Sequence, residues 1–239
     1  FEHVYQNYGD FFENKKRKFL VIFRGINTDF FNQKKINQNK LQNLIKKWNI
    51  DKTKFIILLP GRLTPWKGQE VFIEALNILN QQSDVRPFFV IIAGSDQGRK
   101  VYSKRLESLV EKYKLNRNLI FVSHCKEMPI AYQISDVVVS SSIEPEAFGR
   151  VSVEAQSMEK PIVASNIGGS KETIINDKTG FLFEAGNAKA LAEKLKETMN
   201  LGQMTLQSIG IEGRKNVLKK FDIDRMCFAT FSEYKKLVE

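Results

Sequence analysis

The chain contains 239 residues, 42% hydrophobic and 27% charged, which is usual for a folded protein and too apolar for a disordered one. Two cysteines and two histidines are too few for a disulfide framework, a structural zinc site or a histidine-rich centre, so we predict no bound metal. The formal net charge of +10 favours phosphate-bearing ligands, whether nucleotides, nucleic acid or anionic lipid.

Short apolar runs alternate along the chain with longer amphipathic stretches. Because short runs are typical of buried strands and helical spacing of helices, the alternation predicts both kinds of element. The predicted strands span 19–23, 55–59, 88–93, 119–122, 137–141, 161–164 and 180–183. The predicted helices span 40–48, 67–80, 101–113, 128–133, 148–158, a stretch from Gly168-Gly169 to about 176, 188–199, 204–219 and 224–237.

Uninterrupted apolar strands joined by helices are typical of a parallel sheet covered on both faces. We therefore predict the α/β class, with one Rossmann-like, doubly wound parallel sheet. Such sheets bind ligands beyond the carboxyl ends of their strands. The loops expected to carry function are those after Leu59, Ala93, Val122, Ser141 and Ala164.

The loop after Leu59 reads Pro-Gly-Arg-Leu-Thr-Pro-Trp-Lys-Gly over residues 60–68 and joins a strand to a helix. Free N–H groups and the helix dipole favour anions at such a junction. Arg62 and Lys67 would add two cations that can neutralise a diphosphate. The alternative is a surface turn with incidental cations, and the loop lacks the spacing of a Walker A motif.

The loop after Ser141 carries two carboxylates, Glu146 and Glu154, on either side of Phe148-Gly149. Gly149 would let a ligand approach the backbone amides at the start of a helix. Glu154 would lie about 9 Å along that helix from Phe148, a separation that a nucleoside diphosphate can span. The alternative is that Glu146 is a helix-start anion and Glu154 a solvated helix residue.

The segment 146–154, Glu-Ala-Phe-Gly-Arg-Val-Ser-Val-Glu, resembles the E-x7-E motif of retaining GT-B glycosyltransferases. The resemblance is closest to glycosyltransferase family 4, the glycosyl transferases group 1 type. Four further blocks, two before and two after this segment, stand along the chain in the order of that family. They are 24–27, similar to an N-G-V-D hinge with Arg and Asn as departures; 61–68, similar to a G-R-x(4–5)-K-G loop; 166–172, similar to a G-G-x-x-E turn; and 180–183, similar to a terminal strand.

The resemblance implies transfer of a sugar from a nucleotide sugar with retention of the anomeric configuration. It implies catalytic roles for Glu146, at the donor-sugar hydroxyls, and for Arg62 and Lys67, at the diphosphate. Glu154 would hold the ribose of the nucleotide. The backbone amides of a short run would cradle the donor. That run is Phe148, Gly149, Arg150 and Val151. The donor would be a UDP-, GDP- or ADP-sugar, without a further cofactor.

By the same resemblance, the chain is one half of a GT-B fold. Residues 1–18 would be a linker or the tail of a missing N-terminal acceptor domain, and 19–221 the nucleotide-sugar-binding domain. Residues 222–239 would form a helix that returns towards the missing half, with Phe228 and Phe231 exposed. Without that half, we expect the domain to be inactive in transfer.

The acceptor implied is a glycan or a lipid-linked molecule, in cell-envelope polysaccharide or lipopolysaccharide synthesis. The location implied is the cytoplasm, either free or peripheral at the inner face of the cell membrane.

Two other functional classes compete with this interpretation. A non-catalytic module that binds a nucleotide or nucleotide sugar would share the same pocket. A nucleic-acid-binding domain would need clustered cations interleaved with aromatic residues, which the sequence lacks, so we expect no nucleic-acid partner.

His124 is either the edge of a base pocket or incidental. Asp222-Ile223-Asp224 spells the D-x-D metal motif, but we predict that it caps the last helix.

Overall fold

The computed structural model describes residues 20–123 and 125–238, which form a parallel sheet between two layers of helices. The strands are β1 (Phe55–Pro60), β2 (Phe88–Ala93), β3 (Leu119–Val122), β4 (Val137–Ser140), β5 (Ile162–Ser165) and β6 (Phe181–Phe183). The helices are α1 (Gln38–Lys47), α2 (Gln69–Asn80), α3 (Lys100–Lys112), α4 (Met128–Ile134), α5 (Arg150–Ser157), α6 (Ser170–Thr173), α7 (Ala188–Asn200), α8 (Gln203–Lys220) and α9 (Ile223–Val238). Turns of 3-10 helix lie at Gln33–Lys35 and Pro65–Lys67.

The sheet confirms the predicted doubly wound α/β class. Its strand order is β3-β2-β1-β4-β5-β6, and every pairing in it is parallel. The chain builds outward from β1 to β3 in one direction, then returns to the other side of β1 and builds outward again. The reversal falls between β1 and β4, where Ile57 is opposite Val137.

The side chains of each strand alternate between the two helical layers, because successive residues of a strand point to opposite faces. In β1, Phe55, Ile57 and Leu59 pack in the core beneath α2, α3 and α7. Ile56 and Leu58 pack in the other core, with residues of α1, α4, α5 and α8. The sheet is therefore buried on both faces, which explains why its strands read as uninterrupted apolar runs.

The predicted strand over 19–23 is wrong for the part that the structure describes. Leu20–Phe23 forms no strand, and Leu20 and Phe23 are exposed. This segment runs instead beside the junction of α8 and α9, where the ring of Phe23 lies 5.4 Å from that of Phe221. A single parallel bridge joins Ile26 to Asp222, which is too little pairing to form a strand. Residues 1–18 lie outside the described part of the chain.

Predicted helix ends commonly differ from the observed ones by one or two residues, as for 40–48 against Gln38–Lys47, and three of the differences bear on the site. The helix expected from 67 begins at Gln69, because Gly68 is left-handed and separates it from the turn that contains Lys67. The helix expected from 148 begins at Arg150, because Gly149 is also left-handed. The helix after Gly168-Gly169 ends at Thr173, not near 176.

The last helix packs little of its surface in the described structure. None of the residues of α9 is buried, and Phe228 and Phe231 are 73% and 67% exposed. The exposure predicted for these two aromatic residues is confirmed. Asp222 also caps α9 as predicted, since its carboxylate accepts a hydrogen bond from the Asp224 N–H at 2.9 Å.

Candidate functional site

The candidate site lies where the strand order of the sheet reverses. Open α/β sheets bind ligands in the crevice between the loops that leave two such neighbouring strands at their carboxyl ends. Here those strands are β1 and β4. The loops that leave them, 61–68 and 141–149, are the two segments to which the sequence assigned the chemistry.

Hydrogen bonds tie these two loops together. The Ile143 N–H donates to the Trp66 carbonyl at 2.8 Å. The Ser141 hydroxyl donates to the carbonyls of Lys67 and Gly68 at 3.0 and 3.1 Å. At Gly68, where φ is 67°, a Cβ would lie 1.9 Å from the Ser141 carbonyl oxygen. Because only glycine fits this crossing, the cation-bearing loop is fixed against the end of β4.

Lys67 and Glu146 form an ion pair across the two loops. The distance from Lys67 Nζ to Glu146 Oε1 is 2.6 Å, and the side chains are only 12% and 15% exposed. The Ser142 hydroxyl donates to the same carboxylate oxygen. The cation predicted for the diphosphate and the carboxylate predicted for the sugar are therefore neighbours, as the two sides of a sugar–phosphate bond require.

A glycine turn supports the loop that carries Glu146. The Gly169 N–H donates to the Glu146 carbonyl at 2.7 Å. A Cβ on Gly169 would lie 2.5 Å from the Phe148 carbonyl carbon, so the turn packs directly on the backbone of the loop. The glycine pair that the sequence singled out thus holds Glu146 and Phe148 in place.

Glu154 is buried on α5 with both carboxylate oxygens engaged, so it is not a solvated helix residue. Oε2 accepts from the Tyr132 hydroxyl at 2.8 Å, and Oε1 accepts from Arg150 at 2.9 Å. Burial raises the pKa of Glu154 above its ordinary value of 4.5, while the hydrogen bond from Tyr132 and the charge of Arg150 oppose the rise. Burial and the neighbouring carboxylate raise the pKa of Tyr132 well above 10, so its hydroxyl stays a neutral donor.

The second predicted cation, Arg62, lies beside an aromatic ring. Its guanidinium carbon is 5.7 Å from the centroid of the Trp66 ring, and Lys67 Nζ is 4.6 Å from the same centroid. Both distances fall within the range of about 6 Å in which a cation is attracted to an aromatic face. Arg62 is exposed and Trp66 is half-buried.

All the residues predicted for the site line one cleft of about 630 Å³. They are Arg62, Lys67, Glu146, Phe148, Gly149, Arg150, Val151 and Glu154. The structure therefore brings together side chains that are up to 92 positions apart in sequence; their roles towards a ligand stay predictions. Arg24, in the hinge-like segment 24–27, also lines the cleft.

Sequence reasoning assigned no role to Tyr132, Ser142 or Trp66, although each contacts a predicted site residue. Tyr132 lies in an apolar helix and reads as an ordinary core residue. The signal that could have found it is its hydroxyl, because a buried tyrosine hydroxyl needs a hydrogen-bond partner.

Other sequence features do not add to the site. His124 lies outside the described residues. Within the described part of the chain, no group of three or more His, Cys, Asp and Glu side chains is placed to hold a metal ion. Among the helices described, none is both long and apolar enough to cross a bilayer.

Comparison with known proteins gives the class. The sequence profile of the family described as glycosyl transferases group 1 matches residues 41–216, which is more than half of the chain. The chain therefore belongs to this family, and its fold is that of a Rossmann-like domain of the GT-B glycosyltransferases.

Individual relatives agree with this class. A glycosyltransferase from Rickettsia africae ESF-5 is 34% identical in sequence, with a TM-score of 0.92. The match covers 100% of this chain and 61% of the Rickettsia chain. HepE from Anabaena, solved in complex with UDP-glucose, is 25% identical in sequence, with a TM-score of 0.80. That match covers 91% of this chain and 57% of the HepE chain.

A curated relative likewise matches most of this chain but only about half of its own length. CapM from Staphylococcus aureus, a capsular polysaccharide biosynthesis glycosyltransferase, is 29% identical over 209 residues, which are 87% of this chain and 52% of the relative. The chain spans about half the length of the curated relatives that it matches.

Proposed function

We propose that this chain is the donor-binding domain of a retaining glycosyltransferase of the family 4 type, which takes a UDP-, GDP- or ADP-sugar. The observation that carries the proposal is the ion pair between Lys67 and Glu146, in one cleft with the buried carboxylate of Glu154. The UDP-glucose complex of HepE, a neighbour of the same fold, supports a nucleotide-sugar ligand.

The geometry suggests how a donor would lie. The diphosphate would displace Glu146 as the partner of Lys67 and would also contact Arg62. The freed Glu146 carboxylate, still held by the Ser142 hydroxyl, would accept hydrogen bonds from the hydroxyls of the donor sugar. Glu154 would accept from the ribose, and the amides of residues 148–151 would face the donor between these two ends.

The residues would act mainly on the leaving group. As the bond from the sugar to the diphosphate breaks, negative charge grows on the phosphate oxygens while the sugar becomes oxocarbenium-like. Fixed cations and backbone amides stabilise that charge more strongly in the transition state than in the bound substrate. A front-side departure of this kind retains configuration and needs no nucleophile from the protein. Glu146 as a covalent nucleophile is the less favoured alternative, because in the donor complex its carboxylate would be occupied by the hydroxyls of the sugar and by the Ser142 hydroxyl.

The acceptor belongs to the proposal for the whole protein. Since the chain spans about half of its relatives, we propose that a second domain binds a glycan or lipid-linked acceptor and that the exposed face of α9 returns towards it. The relative named for capsular polysaccharide biosynthesis supports a cell-envelope polysaccharide or lipopolysaccharide as product. This reaction would take place in the cytoplasm or at the inner face of the membrane.

A thermal-shift screen of the chain with UDP-, GDP- and ADP-glucose tests the proposal, because a ligand that binds only the folded state raises its melting temperature. We expect one nucleotide series to raise it and the matched nucleoside to raise it less. The absence of any shift at millimolar concentrations of all three would contradict the proposal. A filter-binding titration against single-stranded DNA at increasing salt tests the nucleic-acid alternative in the same preparation.

A further inference from the structure

One neutral side chain contacts both cations of the site. The ring of Trp66 has Lys67 Nζ at 4.6 Å and the Arg62 guanidinium carbon at 5.7 Å from its centroid. Trp66 lines the cleft and is half-buried. In the sequence it stands between Arg62 and Lys67. The proposed donor-site roles leave this ring without a task, although both charges lie within cation–π range of it.

We propose that Trp66 is a positioning residue that holds Arg62 and Lys67 together for the diphosphate, an inference that rests on the proposed function. Two like charges in a partly buried loop repel each other, and each long side chain loses rotamer freedom when it is held in one place. The negative face of an indole attracts both cations and offsets part of these two costs. The pair is then already assembled when the anion arrives.

A neutral ring suits this task better than a carboxylate would. Lys67 also pairs with Glu146, but a carboxylate beside the cations must be displaced or repelled when a diphosphate binds. Among the described residues, Arg62 has no carboxylate within salt-bridge distance, and the contact recorded for its guanidinium is the ring. The ring therefore supports the cations without adding negative charge to an anion site.

The position of the ring is set by the scaffold. The Trp66 carbonyl accepts from the Ile143 N–H at 2.8 Å, which anchors the residue to the chain just beyond β4. On its other side, Gly68 crosses the Ser141 carbonyl in a conformation that only glycine tolerates there. Since the backbone is fixed on both sides of the ring, the indole is a stable platform for two flexible side chains.

Two substitutions separate the ring from the rest of the side chain. In Trp66→Leu, we expect the affinity of the chain for UDP, GDP or ADP, whichever binds, and for inorganic pyrophosphate to fall about tenfold, from the loss of two cation–π contacts. Trp66→Phe keeps an aromatic face and should recover most of that loss. The affinity for the matching nucleoside should be the same in all three proteins, which a general folding defect would not allow.

Fluorescence gives a second, independent measurement. The chain contains two tryptophans, and the other, Trp48, is buried in the core that contains α1. In a Trp48→Phe background, Trp66 is the sole indole, and its emission should change on addition of pyrophosphate or the cognate nucleoside diphosphate. The nucleoside alone should leave the emission unchanged.

The outcomes separate this inference from the function on which it rests. If the parent chain binds a nucleoside diphosphate and Trp66→Leu binds it as tightly or more tightly, the positioning role is wrong and the donor site stands. If Trp66→Phe is as weak as Trp66→Leu, the ring face is not the cause, and the inference also fails. If the parent chain binds no nucleotide and no pyrophosphate, the anion site itself is wrong and both proposals fall.

Discussion

The carboxylate of Glu154 receives a neutral donor on one oxygen and a cation on the other. We expect Glu154→Gln to weaken binding of the cognate nucleoside diphosphate by about 1–3 kcal/mol, the scale of a hydrogen bond to a charged group. The 2′-deoxy nucleotide should show a smaller loss, because it lacks one of the hydroxyls that the carboxylate would accept. Isothermal calorimetry measures both differences.

The matched control for this substitution is Glu144→Gln. Glu144 is an exposed carboxylate in the same loop as Glu146, and its removal changes the net charge by the same amount. It should leave the affinity almost unchanged. Equal affinities for wild type and Glu154→Gln would remove Glu154 from the ribose site.

Glu154 also predicts a pH dependence of stability. Its pKa is raised in the folded chain, so the folded state disfavours the charged form relative to the unfolded state. Its contribution to stability is therefore fully present below 4.5 and is lost as pH rises through the raised value. The melting temperature of Glu154→Gln, measured relative to wild type, should increase as pH rises from 4.5 towards neutrality. A constant difference across that interval would contradict the assigned direction of the shift.

The two cations predict a selective effect on the diphosphate. We expect Arg62→Ala and Lys67→Ala each to weaken binding of the nucleoside diphosphate by about 1–3 kcal/mol while the nucleoside is little affected. Lys104→Ala, which removes an exposed lysine from α3, is the control and should change neither affinity. Competition calorimetry with both ligands decides the matter, since equal losses for both would indicate a folding defect.

At the scale of elements, the loop with Glu146 depends on the glycine turn before α6. We expect Gly169→Ala to destabilise the chain by about 1–3 kcal/mol, because the new Cβ would overlap the Phe148 backbone and must push it away. Nucleotide binding should weaken with it, since the displaced segment carries Glu146. Denaturant unfolding and calorimetry of the same variant measure the two effects.

The control is Gly202→Ala, whose Cβ would have no heavy atom within 4 Å among the described residues. Because Gly202 is the N-cap of α8, where glycine is preferred to alanine, this variant should lose at most about 1 kcal/mol of stability, and it should bind normally. A Gly169→Ala variant that matches it in both respects would show that the turn does not support the site.

The sequence predicted the sheet well because its strands are buried on both faces and read as continuous apolar runs. The same rule misled at 19–23, because the described residues 20–23 form no strand and Phe23 instead packs beside the end of α8. The starts of two helices were also predicted wrongly. Gly68 and Gly149 are left-handed, so each helix begins only at the residue after its glycine. Their conformation follows from close approaches between loops, which periodicity does not report.

Within the site, the motif residues could be predicted, but the groups that hold them could not. Lys67, Glu146 and Glu154 stand in recognisable patterns. Tyr132, on α4, and Ser142, just after β4, contact them only because these elements and α5 meet near the point where the strand order reverses. That convergence is a property of the fold, and a single side chain in an apolar helix gives little sign of it.

At the scale of the whole molecule, donor binding and transfer should separate. We expect these 239 residues to bind the donor but not to transfer its sugar, because transfer needs an acceptor hydroxyl held close to the anomeric carbon. It also needs water excluded from the reacting centre, a task that we assign to the proposed second domain. Incubation with a labelled nucleotide sugar and a membrane extract should therefore yield hydrolysis rather than product. Robust transfer by this chain would place the acceptor site within it.

The most direct test of the donor site is a calorimetric titration of the chain with UDP-, GDP- and ADP-glucose, repeated with Lys67→Ala and Glu154→Gln. We expect one of the three nucleotide sugars to bind with a one-to-one stoichiometry, and each substitution to weaken its binding by about 1–3 kcal/mol, roughly fivefold to 150-fold. Binding of none of the three, or binding that both substitutions leave unchanged, would contradict the assignment of this cleft to a nucleotide sugar.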